Sequence, residues 1–175
     1  MKKISAYEIA LSAVSCAFAA LALTVGTLYS VLLFTGYLLA SFALMMPLSR
    51  GAYVGSFLAH IGASILALLF TGGRIWDLLP FIVFFGLHPL ANALQIRFKI
   101  NKWLAFAIKA VWFDGAMYLL WRFVFDMTTS FAWVDELIIP VILIGGTLFF
   151  FVYDFMFFRC QITVNRLIDR IIKKK

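Results

Sequence analysis

Seven ionisable side chains, His60, His88, Lys109, Asp114, Arg122, Asp154 and Arg159, fall inside stretches of the chain that are otherwise almost wholly apolar. Their types admit three kinds of chemistry. Imidazoles and carboxylates at depth can pass protons, a carboxylate or guanidinium can anchor the polar edge of a bound molecule, and opposite charges can cancel each other and hold a fold. An ionised group left alone at the centre of a bilayer costs roughly 2.5–3.5 kcal/mol on insertion scales. Each therefore needs a partner, a cavity or a route to the surface.

The elements that position these groups follow from composition. With 65% apolar and only 13% charged residues in 175, the chain has too little polar surface to cover a soluble globule. Lipid must be the solvent for most of it, and a backbone in lipid has to satisfy its hydrogen bonds internally. Each crossing is then a helix of about 20 residues. The expected architecture is an all-α membrane protein, a single integral membrane domain over residues 1–175. Six spans are predicted, at 6–26, 29–47, 51–71, 76–96, 103–125 and 137–159, with Gly26, Pro47, Gly72 with Gly73, and Asn101 marking four of the breaks. The second span is short and its connection to the first is barely a turn, so a five-span reading stands as the alternative. An apolar N-terminal run longer than the core of a secretory signal reads as a span.

Charge sets the orientation. Six spans gather Lys2, Lys3, Arg50, Arg97, Lys99, Lys102, Arg166, Arg170, Lys173, Lys174 and Lys175 on one side, which is eleven of the fifteen basic residues. The other side receives Arg74 with the acids Asp77, Asp126, Asp135 and Glu136. Cytoplasmic loops retain Lys and Arg, so both termini are expected in the cytoplasm, with the protein in the plasma membrane. Five spans would lose this segregation. The net charge of +7 is spread over those loops without a nucleic-acid-binding module, and no nucleic acid partner is expected.

At about 1.5 Å of rise per residue, His60, His88 and Asp114 fall near the midplane. Lys109 and Asp154 both lie about one and a half turns from the cytoplasmic ends of antiparallel neighbouring spans, and they are expected to form a structural ion pair. Arg159 can snorkel to the inner surface. Pro89, directly after His88, deletes a backbone donor and should free carbonyls for a partner, with Asn92 one turn further on. Asp114 has no basic neighbour within one turn of its own helix. Aromatics concentrate towards the outer end of the fifth span and the loop after it, among them Trp112, Tyr118, Trp121 and Trp133. An interfacial belt explains several of these rings; the sharper reading is a substrate cavity floored by His88 and Asp114 and walled by Tyr118, Trp121, Arg122 and Trp133.

Small residues suggest contacts. Ala13 and Ala17, with Ala10 and Ala20 close by, make one face of the first span smooth; Gly51, Gly55, Ala59 and Ala63 do the same for the third. Such faces serve internal packing or the docking of another membrane subunit. The basic tail, 161–175, places Val164, Leu167, Ile168, Ile171 and Ile172 at helical spacing and reads as an amphipathic continuation of the sixth helix at the membrane interface. Cys16 and Cys160 sit within or at the inner end of spans, and no disulfide is expected. The motifs of zinc proteases, serine hydrolases and nucleotide-hydrolysing loops are absent, so the chain is expected to be no enzyme and to carry neither cofactor nor metal.

With its Ala13-Val14-Ser15-Cys16-Ala17 segment, its size and its six spans, the chain resembles the substrate-binding S components of energy-coupling factor (ECF) vitamin transporters. The resemblance implies that an alanine motif, here Ala13 and Ala17, docks on a membrane scaffold (T) subunit. It also implies that a vitamin-like nutrient is captured from outside and that separate ATPase subunits power uptake. Where S components often carry an extended loop after the first helix, this chain has only residues 26–30, leaving 74–77 and 126–136 to cover a site. A self-contained proton-coupled carrier or channel, and a non-transporting membrane assembly factor, are the alternatives.

Overall fold

The computed structural model describes residues 5–125 and 137–173, and among them every regular element is helical. Six helices are long and apolar enough to cross a membrane, which makes the chain a multi-pass membrane protein. The spans are Ala6–Leu28, Ser30–Leu48, Tyr53–Phe70, Ile75–Phe98, Lys102–Arg122 and Leu143–Ile168, and the helices that carry them are α1 (Ala6–Leu28), α2 (Leu33–Leu48), α3 (Tyr53–Phe70), α4 (Ile75–Phe98), α5 (Lys102–Leu119) and α6 (Thr147–Lys173). The segment 126–136, which includes Trp133, lies outside the described residues.

Local chemistry explains the boundaries. Ser5 caps α1 reciprocally, its Oγ accepting from Glu8 N at 3.1 Å while Glu8 Oε2 accepts from Ser5 N at 3.0 Å. Asn101 caps α5 by accepting from Trp103 N at 2.9 Å. Pro47 stands where a break is expected, one residue before the end of α2, whereas Gly26 has a different role. Gly26 lies inside α1, where it meets Gly36 of α2: a Cβ on Gly36 would stand 3.0 Å from Gly26 Cα and 2.7 Å from the Ala22 carbonyl oxygen. Only glycine lets the two backbones approach so closely, and in lipid such van der Waals contact drives helix association. Pro47 lies in the last turn of α2, and the chain reverses at Gly51, whose φ is +70°.

Contacts fix alternating directions. At one end Arg97 of α4 stacks over Tyr53 of α3 at 4.8 Å, beside a groove shared with Glu8 and Gly51. At the other, Arg74 Nη1 donates to the Thr27 carbonyl at 3.0 Å and the Tyr37 hydroxyl donates to the Asp77 carbonyl. The first is the basic end, where Arg50, Arg97 and Lys102 also stand. The α6 helix reaches it and continues unbroken to Lys173, so the tail is one rod with the sixth span.

Winding changes in the half nearer the opposite end. In α4 the turn Ile75–Pro80 gives way to a π-helical segment, Phe81–Phe85, before regular helix resumes at His88–Phe98. A π segment, Leu120–Phe125, continues α5, and another, Val141–Gly146, follows the turn Ile138–Pro140 and leads into α6. Pro80 and Pro140 each stand immediately before one of these segments. A proline ring lacks the N–H for the preceding turn's carbonyl and crowds it, which favours wider winding. Gly86 N accordingly donates to Phe81 O, five residues back, at 2.8 Å.

The core gathers on the π segment of α4. Fully buried Phe84 meets Trp112 at 4.8 Å, Phe113 at 4.9 Å and Phe150 at 5.8 Å, all near edge-on. Each such pair adds about 0.5–1.5 kcal/mol beyond area burial. These contacts lock α4, α5 and α6 together around the ionisable residues.

Candidate functional site

Two polar clusters occupy different heights in the bundle. The first joins α4, α5 and α6. Lys109 Nζ lies 2.5 Å from Asp154 Oδ1 and donates to Asn92 Oδ1 at 2.8 Å, while His88 Nε2 stands 2.9 Å from the same Asp154 oxygen. The spacing within α4 is the reason: His88 and Asn92 are four apart and share a face. The charges of Lys109 and Asp154 cancel, so the cluster is neutral with a neutral imidazole. With Asp154 ionised, His88 must hold its proton on Nε2, and Nδ1 is left a bare acceptor, buried and without a partner among the described residues. Rings of Tyr153 at 4.8 Å, Phe84 at 5.4 Å and Phe157 at 5.8 Å enclose the imidazole, which has no exposed surface.

Pro89 removes the N–H that would have bonded the Phe85 carbonyl. Ser41 of α2 stands in for it, its single hydroxyl proton shared between Phe85 O and Tyr37 O, each 2.7 Å from Oγ. The freed carbonyl is thus satisfied by the protein itself. His60, expected near the midplane, is buried with its ring 5.2 Å from Phe81 and against Gly86, where any Cβ would overlap it.

The second cluster centres on Asp114, five residues and about 7.5 Å of rise beyond Lys109 towards the far end. Asp114 Oδ2 accepts from Thr147 Oγ1 at 2.7 Å. Its Oδ1 is buried and has no partner among the described residues. Gly146 makes room, since a Cβ there would stand 2.8 Å from that oxygen. Along α5 and its continuation, exposure grows outward: Tyr118 and Trp121 are half-buried and Arg122 is exposed. The structure therefore divides the expected cavity residues. His88 joins the Lys109–Asp154 pair; Asp114, Tyr118, Trp121 and Arg122 follow one another along α5 and its π continuation.

Among the described residues no three His, Cys, Asp or Glu side chains gather as a metal site would. Ala13 and Ala17 are exposed, whereas Ala19 and Ala20 pack inside. The smooth stripe of α3 is spent within the bundle, with Gly55 against Ser12 and buried Ala59 and Ala63. Thr147 and Ser41 went unnoticed in the sequence. Thr147 could have been flagged by its place after the pair Gly145-Gly146 in an apolar run, whereas Ser41 carries no signal without the pairing of α2 and α4. No family model matches the chain, and no curated protein or solved structure matches it either.

Proposed function

We propose that this chain is the substrate-binding subunit of a membrane transporter. It captures a vitamin-like small molecule from outside, and uptake is powered by separate ATPase subunits through a scaffold subunit. The observation that supports this most is Asp114. It is a carboxylate with one oxygen buried and unpartnered among the described residues, next to a glycine-bearing π turn, in the half of the bundle where π segments interrupt α4, continue α5 and lead into α6. Such segments recur at functional sites, because they free backbone groups and widen the helix locally.

In this reading both termini are cytoplasmic in the plasma membrane, so the Asp114 half faces outward. Reporter fusions at Lys175 and at Ser130 should report opposite sides; both on one side would rule out this orientation.

The exposed Ala13–Ala17 face, uncovered by the chain's own helices, is the surface offered to the scaffold. Replacing Ala13 and Ala17 together with Trp should abolish co-purification with scaffold and ATPase subunits and reduce uptake to background, while the purified subunit still retains its small molecule. Unchanged uptake in the double variant would refute docking through this face. A proton-coupled carrier working alone is the second reading, favoured by the buried His88–Asp154–Lys109 cluster. Uptake in a membrane lacking every ATPase partner would select it.

A further inference from the structure

We infer that the groove between α4, α5 and α6 at the basic end binds one anionic phospholipid, its phosphate between Lys102 and Arg159 and an acyl chain along the aromatic wall. The groove holds about 490 Å³. It opens on the lipid-facing circumference, where Trp103 is 75% and Phe155 56% exposed. Its wall continues with Phe106 and Phe151, packed edge to face at 5.6 Å.

Polarity within the groove is graded. Lys102, the first residue of α5, and Arg159 both line it, and the Arg159 guanidinium stacks over Phe155 at 5.0 Å. Asp154 is the one acid among the residues lining the groove, and it already bonds Lys109 and His88, so the two cations are not cancelled. Gln95 also lines the groove. It is 7% exposed and its Oε1 is buried without a partner among the described residues, so it lacks a donor there.

A ligand that fits must bring negative charge to the interface, a hydroxyl donor for Gln95 and an apolar tail. Phosphatidylglycerol has all three, and basic pockets between helices on the cytoplasmic side are suited to such headgroups. A soluble anion would leave the aromatic wall unmatched. The site needs only the bilayer and is independent of the transport reading.

The test uses the full-length protein purified in neutral detergent. Native mass spectrometry would titrate phosphatidylglycerol, phosphatidylcholine of the same acyl chains, and inorganic phosphate. Wild type should hold one phosphatidylglycerol in preference to phosphatidylcholine. At about fivefold per cation near the surface, Lys102→Ala with Arg159→Ala should weaken it about twenty-five-fold. The pair Arg166→Ala and Arg170→Ala, on the tail beyond the groove, should leave it unchanged. Lys102→Glu alone, at an exposed position, should abolish the preference and provides the reading if the double variant does not fold. Wild-type affinity in the folded groove variants, equal binding of phosphatidylcholine, displacement by inorganic phosphate alone, or loss in the tail variant instead would each overturn the assignment.

Discussion

Asp154→Ala is expected to destabilise the folded protein by about 3–5 kcal/mol, the range for removing one partner of a buried ion pair. The cost arises from what remains. Lys109 would stand about 10 Å from the start of α5, inside the hydrocarbon, with the Asn92 side-chain carbonyl oxygen its one remaining partner among the described residues. His88 would lose its hydrogen bond to Asp154 within a cage of rings. Replacing both charges, Lys109→Met with Asp154→Leu, should recover most of the loss, because apolar side chains of similar volume substitute well for a buried pair. A remainder of about 1 kcal/mol should persist for the imidazole left without its bond. Thermal or denaturant unfolding of the purified variants measures all three values. A single variant within 1 kcal/mol of wild type would mean that water already reaches Lys109 and that the pair holds little of the fold together.

The Lys109–Asp154 contact was legible because two residues of opposite charge stood at matching depths in antiparallel neighbours. Depth along a helix follows from counting residues; azimuth around it does not. For that reason equal depth near the midplane suggests one cavity floor for His88 and Asp114, whereas packing turns His88 to Asp154 and Asp114 to Thr147. The spans themselves were readable from apolar run length, since a bilayer imposes that length. The role of Gly26 was not, because a glycine that ends a helix and one that admits a neighbour's backbone look alike in sequence. The π segments were hidden for a similar reason. Pro80 and Pro140 announce a disturbance, but whether the chain kinks, breaks or widens depends on what packs beside them, and here Phe84 carries the wider turn into the core. No proline stands near Leu120–Phe125, so that segment had no sequence signal.

Asp114→Asn is expected to weaken substrate binding by roughly tenfold to a hundredfold while shifting thermal stability little, and the two effects separate for a physical reason. The structural contact of this residue is one hydrogen bond, donated by Thr147 to Oδ2, and an asparagine carbonyl oxygen at the same place can accept it. The unpartnered Oδ1 is a different matter. A substrate donor that meets it forms a hydrogen bond to a charged group, worth about 1.5–3 kcal/mol, which the neutral amide does not reproduce. At roughly 18 Å from the start of α5 the side chain is too short to snorkel, so a donor for its free oxygen has to come to it. Gly146 lets the backbone before α6 pack close to this oxygen, where a Cβ would stand 2.8 Å away, and Tyr118 and Trp121 follow along α5 and its π continuation towards the outer end. The measurement takes the small molecule retained by wild-type protein, identified by mass spectrometry, and titrates it against both proteins while following their unfolding temperatures. If Asp114→Asn instead fails to insert or unfolds, and its residual folded fraction binds with wild-type affinity, then Asp114 serves the α5–α6 contact through Thr147 and the substrate binds elsewhere.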